Sequence, residues 1–276
     1  MQAFPTSFLL LFYQVSLGGL FAIAVTPFHQ LERGFYKSTA GVLFVVGFLG
    51  LLGKADIYWK SLSLGIGPGP AVELSFYILF LLFFALYLIS LWGEHVVFRA
   101  RSFSLSLLTG LAGLVPSAHG FTQASLWSLE TILYPLSFFL SALLLGGVTV
   151  GMLLGHWYLI DTGQSIDPFV RIFKFFCITL IIQIVFFLLL PLLLYLLGNP
   201  NTVLALQRLW EEHAFLLWTR VLVGQAAPII ISIMIWRTLK IPHTMAATGL
   251  FYTALLGVFV GEILGRQILA LTSLPF

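Results

Sequence analysis

Cysteine and charge are the two scarce components of this sequence. Cys177 is the single cysteine, and aspartate, glutamate, lysine and arginine together make up 8% of the 276 residues. One cysteine supports no intrachain disulfide, no cysteine-based zinc site and no iron–sulfur cluster. The sequence also lacks a phosphate-binding loop, a GxGxxG dinucleotide-binding turn and a nucleophile elbow. These absences count against a soluble nucleotide-dependent, hydrolytic or iron–sulfur protein, and we predict no metal site.

Apolar residues dominate the composition instead. They make up 60% of the chain, and the mean hydropathy is +1.06. A helix of roughly 20 apolar residues crosses a bilayer core of about 30 Å. We therefore predict an all-α, polytopic integral membrane protein, a single transmembrane domain over residues 1–276 surrounded by the lipid bilayer. Its bundle of about eight transmembrane helices covers, approximately, residues 6–28, 38–53, 71–92, 103–118, 131–158, 170–197, 213–236 and 244–271.

The segments between these helices are short, which leaves no room for a soluble catalytic module. Chemistry on a water-soluble substrate is therefore expected in a partner subunit. The first apolar run lacks a basic region before it and a small-residue cleavage site after it, so we predict a retained helix rather than a signal peptide.

The distribution of lysine and arginine predicts the orientation of the bundle. The loops joining helices 1–2, 3–4, 5–6 and 7–8 hold eight basic residues: Arg33, Lys37, Arg99, Arg101, Arg171, Lys174, Arg237 and Lys240. The other three loops hold Lys54, Lys60 and Arg208. The positive-inside rule places the first set in the cytoplasm and both termini outside. Because the basic residues lie at helix ends, the net charge of +3 does not indicate nucleic-acid binding.

Two apolar segments near the carboxyl end contain charged residues. The last one includes Gly261-Glu262-Ile263-Leu264-Gly265-Arg266, and the one before it includes Arg220. A charge within the bilayer costs at least about 2.5–3.5 kcal/mol on insertion scales, so such residues face the bundle interior and pair. Glu262 and Arg266 are four residues apart and share one helix face.

These charges have two interpretations. In the predicted orientation, four polar residues lie about 8–14 Å below the outer surface, and two more lie just above them at the outer end of the second helix. The first group is Gln14, Arg220, Glu262 and Arg266, and the second is Lys54 and Asp56. They form either an interhelical salt bridge that fixes packing or a polar pocket for a quinone headgroup. In such a pocket, hydrogen-bond donors hold the carbonyl oxygens and a carboxylate passes protons.

The six histidines do not predict a haem. A transmembrane b-type haem needs two axial histidines that face each other within the bundle, and here every histidine lies near a predicted helix end. His156, in Gly155-His156-Trp157-Tyr158, is the deepest. It is an interfacial residue beside aromatic anchors, a quinone or proton-path residue, or a haem ligand.

Glycines recur at every fourth position in two of the predicted helices. They occur in Gly146-Gly147-(x3)-Gly151-(x3)-Gly155 and Gly257-(x3)-Gly261-(x3)-Gly265. Small residues with this spacing let helices approach closely, so we predict tight packing along these stripes.

Several of these segments resemble the membrane-anchor subunits of dimethyl sulfoxide reductase, and the related polysulfide and nitrite reductase anchors that interact with quinone. The ending Gly261-Glu262-Ile263-Leu264-Gly265-Arg266 resembles the Gly-Glu-x-x-Gly-Arg motif of their last helix. Similar segments occur in the first, fifth and seventh helices. These are Gln14-Val15-Ser16-Leu17-Gly18-Gly19, Ser137-Phe138-Phe139-Leu140 followed by Gly146-Gly147, and Trp218-Thr219-Arg220.

The resemblance implies a role in anaerobic respiration in a prokaryotic cytoplasmic (inner) membrane. Such anchors hold a molybdopterin-type catalytic subunit and an iron–sulfur electron-transfer subunit, contain no haem or cluster, and exchange electrons with quinone or quinol. Glu262 would carry protons, while Gln14, Arg220 and Arg266 would bind the headgroup. The rivals are a purely structural anchor and a transporter of small solutes or ions.

This sequence departs from that family at one position. The anchors carry a histidine just after the second helix that is associated with quinol chemistry, whereas this chain reads Gly53-Lys54-Ala55-Asp56. Either Lys54 or Asp56 takes over its role at the lip of the pocket, or the quinone reactivity is altered. His156 is a further candidate quinone-binding residue outside the family pattern.

Overall fold

A computed structural model describes residues 3–28, 30–65, 67–122, 128–160, 163–241 and 243–276. Within these ranges the chain forms helices and connecting turns and no β-strand. The helices are α1 (Ala3–Val25), α2 (Arg33–Ser63), α3 (Gly69–Ser90), α4 (Val96–His119), α5 (Glu130–Ile160), α6 (Asp167–Leu197), α7 (Pro200–Glu212), α8 (Ala214–Val221), α9 (Ala227–Lys240) and α10 (Thr244–Thr272).

Within the described ranges, seven helical segments are long and apolar enough to cross a membrane, which confirms the all-α polytopic membrane fold. They are α1, α2, α3, α5, α6, the continuous segment from α8 to α9, and α10. The fourth predicted helix, residues 103–118, corresponds to α4, which has 24 residues but is not among the seven. Its sequence contains two arginines and several serines, which lower its hydropathy.

Helix α4 nevertheless runs antiparallel to α3 along its whole length. At one end the Arg99 guanidinium donates to the carbonyl oxygens of Ser90 and Gly93, at 3.3 and 2.6 Å. At the other end the Ser117 hydroxyl donates to the Glu73 carboxylate at 2.9 Å. The described residues therefore contain eight long helical segments, of which seven are apolar enough to cross a membrane and one, α4, is more polar.

Both ends of the chain lie at the same end of the bundle, which we call the termini face. The Ser7 hydroxyl donates to the carbonyl oxygen of Arg266 at 3.0 Å, and the Tyr134 hydroxyl donates to that of Ser273 at 2.8 Å. The opposite end, which we call the basic face, carries the eight lysines and arginines of the first set of loops. Eight long segments, an even number, bring the two termini to the same end of the bundle.

The predicted seventh helix, residues 213–236, is a composite. It consists of α8 and α9 joined by a π-helical turn over Leu222–Ala226. It is preceded by α7, a 13-residue helix that the apolar pattern did not predict. Leu206 and Leu209 of α7 are buried while its charged residues are exposed. A helix this short cannot cross the bilayer, so it caps the termini face.

Helices α1 and α5 form the centre of the bundle. In their most apolar stretches, 67% of the residues of α1 and 78% of those of α5 are buried. They meet at Gly18 and Gly146, where a Cβ on either glycine would overlap backbone atoms of the other helix. Gly224 of the π-helical turn and Gly261 of α10 meet in the same way. The structure thus confirms the close packing predicted from the glycine stripes.

Candidate functional site

Glu262 of α10 is the centre of a buried charge cluster. Its Oε1 accepts a hydrogen bond from Gln183 Nε2 at 2.7 Å and lies 3.6 Å from Nη2 of Arg220. Its Oε2 accepts from Arg266 Nη2 at 3.3 Å. The three charged residues are each less than 5% exposed. We call Gln183, Arg220, Glu262 and Arg266 the Glu262 cluster.

The surroundings of Arg220 and Arg266 explain how two guanidinium groups fit here. Arg220 Nη1 donates to the carbonyl oxygen of Gly261 at 2.6 Å. A side chain at position 265 would overlap this guanidinium, so only glycine leaves room for it. Aromatic rings cover both cations: Arg220 lies 5.6 Å from the Phe187 ring centroid, and Arg266 lies 4.9 Å from that of Phe138. Such contacts favour a desolvated cation.

The cluster joins three parts of the bundle through one carboxylate. Gln183 lies on α6, Arg220 on α8, and Glu262 and Arg266 on α10. Two positive charges and one negative charge leave a formal net charge of +1. The three charged residues could be identified from the sequence, whereas Gln183 was missed. The only feature that could have indicated it is an amide side chain within the apolar run of α6.

Gln14 is linked to this cluster through Phe138 rather than by a hydrogen bond to Glu262. Its Nε2 donates to the carbonyl oxygen of Phe138 at 2.8 Å, and the Phe138 ring covers Arg266. The structure therefore brings Gln14, Arg220, Glu262 and Arg266 to one region, as the depth argument predicted.

Lys54 and Asp56 do not join that region. Lys54 is 3% exposed and forms an ion pair with Glu73 of α3, with 2.6 Å between Nζ and Oε1. Asp56 is exposed and pairs with Lys60, one turn further along α2. The predicted place of these residues at the lip of an Arg220 pocket needs correction. Helix α2 packs on α1 and α3, whereas α10 packs on α1, α5 and α9.

Glu73 borders a cavity of about 570 Å³ at the termini face, between α3, α4 and the start of α5. Its polar lining consists of Glu73, His119, Thr122 and Thr131, and its apolar lining includes Val72, Phe76, Val115, Pro116 and Pro135. We call this space the Glu73 cavity. It combines a carboxylate, an imidazole and hydroxyl groups with apolar walls.

The carboxylate in this cavity is held by two partners. Besides Lys54, the Ser117 hydroxyl donates to Glu73 Oε1 at 2.9 Å. The Lys54 ammonium also lies 5.7 Å from the ring centroid of Tyr58. Glu73 could not be identified as a site residue from the sequence, because an acidic residue near a helix start is usually a solvated end residue. Its partner on another helix is visible only in three dimensions.

His156 lies far from both sites. It is exposed near the basic-face end of α5, where its Nδ1 is 3.4 Å from the Tyr252 hydroxyl. Ser141, on the same helix, lies 3.4 Å from Gln183 of the Glu262 cluster. Fifteen residues of helix separate the two positions, or about 22 Å. This geometry agrees with the interfacial interpretation of His156.

The described residues contain no group of three or more histidine, cysteine, aspartate or glutamate side chains arranged to hold a metal ion. No protein-family model, curated protein sequence or solved structure matches this chain.

Proposed function

We propose that this protein is the membrane subunit of a respiratory oxidoreductase complex and exchanges electrons between membrane quinone and an iron–sulfur partner subunit. A molybdopterin-type catalytic subunit would complete the complex. The orientation would be that of an inner-membrane protein with both termini outside, which places the Glu73 cavity at the outer surface.

The observation that supports this proposal best is the chemistry of the Glu73 cavity. Oxidation of a quinol releases two electrons and two protons, so its site needs a proton acceptor as well as polar partners for two oxygens. Glu73, His119 and Thr122 supply such groups, and the apolar wall suits an isoprenoid quinone. In this arrangement Glu73 accepts one proton and the His119 imidazole accepts the other, while both electrons leave for the partner's cluster.

Lys54 gives the proposal a link to the sequence resemblance. It occupies the segment after the predicted second helix where the anchor family carries its quinol-associated histidine. Here its ammonium group contacts Glu73 rather than lining the cavity. Lys54 would act as a positioning residue that holds the carboxylate in its ionised form until a quinol proton arrives.

We assign the headgroup to the Glu73 cavity rather than to the Glu262 cluster. Both oxygens of Glu262 are already engaged by Gln183 and two arginines, and the residue is 3% exposed. Glu262, Arg220, Arg266 and Gln14 would then fix the helices around the site instead of binding the headgroup.

The test is quinol oxidation by the complex purified through a tag on this chain. Glu73→Gln keeps the shape of the side chain but removes its charge, and general acid–base groups typically contribute 10²–10⁴-fold to rate. We expect assembled Glu73→Gln complex to lose at least about 100-fold in turnover of a short-chain quinol. Asp56→Asn, which removes an exposed carboxylate nearby, should keep it.

Other outcomes would favour the rival functions. Co-purifying subunits with normal quinol turnover in Glu73→Gln would indicate that this site is not used. Co-purifying subunits with no quinol turnover in the unaltered complex would indicate a purely structural anchor. A chain that purifies alone and moves a solute or ion across vesicle membranes would indicate a transporter.

A further inference from the structure

An apolar groove runs along the bundle surface between α6 and α9, starting at the basic face. It consists of two adjoining cavities of about 360 and 310 Å³, which share Phe173, Cys177 and Trp236 as lining residues. The first also includes Lys174 and Lys240, and the second extends towards the bundle middle along Ile181 and Ile229.

The mouth of the groove carries two lysines. Lys174 lies in the second turn of α6, and Lys240 is the last residue of α9, so both lysines lie near the basic-face ends of their helices. Lys240 Nζ lies 3.7 Å from the Trp236 ring centroid. Among the described residues, neither lysine has a carboxylate within ion-pairing distance.

The interior of the groove has the opposite character. Its lining is hydrocarbon, aromatic carbon and the thiol of Cys177, together with Ser232, whose hydroxyl already donates to the carbonyl oxygen of Pro228 at 2.7 Å. Ile181, Ile229 and Ile233 are exposed along it. A ligand with a negatively charged head and a long hydrocarbon chain matches both ends.

We propose that this groove binds an anionic phospholipid, with the phosphate between Lys174 and Lys240 and one acyl chain between α6 and α9. Charge complementarity identifies the occupant, because the groove opens on the face that carries eight basic residues. Basic pockets between helices on the cytoplasmic side hold anionic lipid headgroups. The tryptophan beside Lys240 is also placed as interfacial aromatic residues are. This site is independent of the quinone chemistry proposed above.

The proposal can be tested by native mass spectrometry of the protein, or of its complex, with two lipids that share the same acyl chains. The lipids are 1-palmitoyl-2-oleoyl phosphatidylglycerol and the corresponding phosphatidylcholine. Two lysines near an anionic headgroup contribute a factor of about thirty in affinity. We expect the unaltered protein to prefer phosphatidylglycerol by about that factor for its first bound lipid.

Three variants locate the site. Lys174→Gln/Lys240→Gln should abolish the preference, and Lys174→Arg/Lys240→Arg should keep it. Lys37→Gln is the matched control, because Lys37 also lies beside a tryptophan, 5.0 Å from the Trp92 ring centroid, but on α2. It should keep the preference as well.

Ile181→Trp tests the acyl-chain part of the groove. The larger side chain should fill the tail region, so it should weaken binding of both lipids and leave their ratio unchanged. The proposal is overturned if the unaltered protein shows no preference, or if Lys37→Gln removes it as fully as the double glutamine variant does. Equal unfolding temperatures in detergent would show that each variant is folded.

Discussion

Replacing Glu262 by glutamine should destabilise the folded bundle strongly. Both carboxylate oxygens face donors: Gln183 and Arg220 at Oε1, and Arg266 at Oε2. A glutamine must turn its NH₂ group towards one of these donors, so one favourable contact becomes a repulsive one. The substitution also leaves both guanidinium groups without a counter-ion, and the formal net charge of the cluster therefore rises from +1 to +2.

The expected loss of stability follows from the burial of the cluster. Removing one partner of a buried ion pair costs about 3–5 kcal/mol, since it leaves an uncompensated charge. For chains of roughly 150–250 residues, each kcal/mol changes the unfolding temperature by about 2–4 °C. Glu262→Gln should therefore lower it by roughly 6–20 °C.

The assay is thermal unfolding of the purified protein in detergent, with Glu211→Gln as control. Glu211 is an exposed acid on α7, and a surface substitution of this kind changes stability by less than about 0.5 kcal/mol. An unfolding temperature of Glu262→Gln within about 2 °C of the control would refute the idea that Glu262 neutralises two buried arginines.

A second substitution tests whether the carboxylate or the arginines are the indispensable charges of the cluster. Arg266→Met removes the cation in excess and leaves Glu262 paired with Arg220, so the net charge of the cluster falls from +1 to zero. It should therefore cost less than Glu262→Gln. The reverse order would mean that the cations, and not the carboxylate, are the indispensable partners.

Two further predictions concern packing and orientation. Gly146→Ala should destabilise the bundle by about 1–3 kcal/mol or more, because the new methyl group would overlap the α1 backbone. The control Gly249→Ala should not, because its methyl group would have no atom within 4 Å. Equal unfolding temperatures of the two variants would contradict the close contact. In a Cys177→Ala background, Ser63→Cys should react with an impermeant thiol reagent in intact cells and Glu94→Cys should not; the opposite pattern would reverse the orientation.

Much of the fold could be predicted from the apolar segments, but their limits could not. The second predicted helix covers residues 38–53, whereas α2 covers Arg33–Ser63. Its last turns are polar and exposed, and Lys60 and Asp56 form an ion pair across one of them. Hydropathy therefore underestimates helices that extend past the bilayer core. It also missed α7, which buries Leu206 and Leu209 on one side and exposes its charged residues on the other, as a surface helix does.

The two sites differ in how far they could be predicted. Glu262 and Arg266 lie four residues apart on one helix, so their proximity follows from helix geometry alone. Lys54 and Glu73 lie on different helices and come together only because α2 packs on α3.

The sequence by itself determined that this chain forms long apolar helices, that charges within them must pair, and that glycine stripes allow close contact. Each of these follows from a local property: the length of an apolar run, the cost of an isolated charge in lipid, or the size of a side chain. Only the tertiary structure decided that Lys54 pairs with Glu73, that Gln183 joins Glu262, and that His156 stays apart. Helices that are apolar on every side carry little information about which neighbour each face will meet.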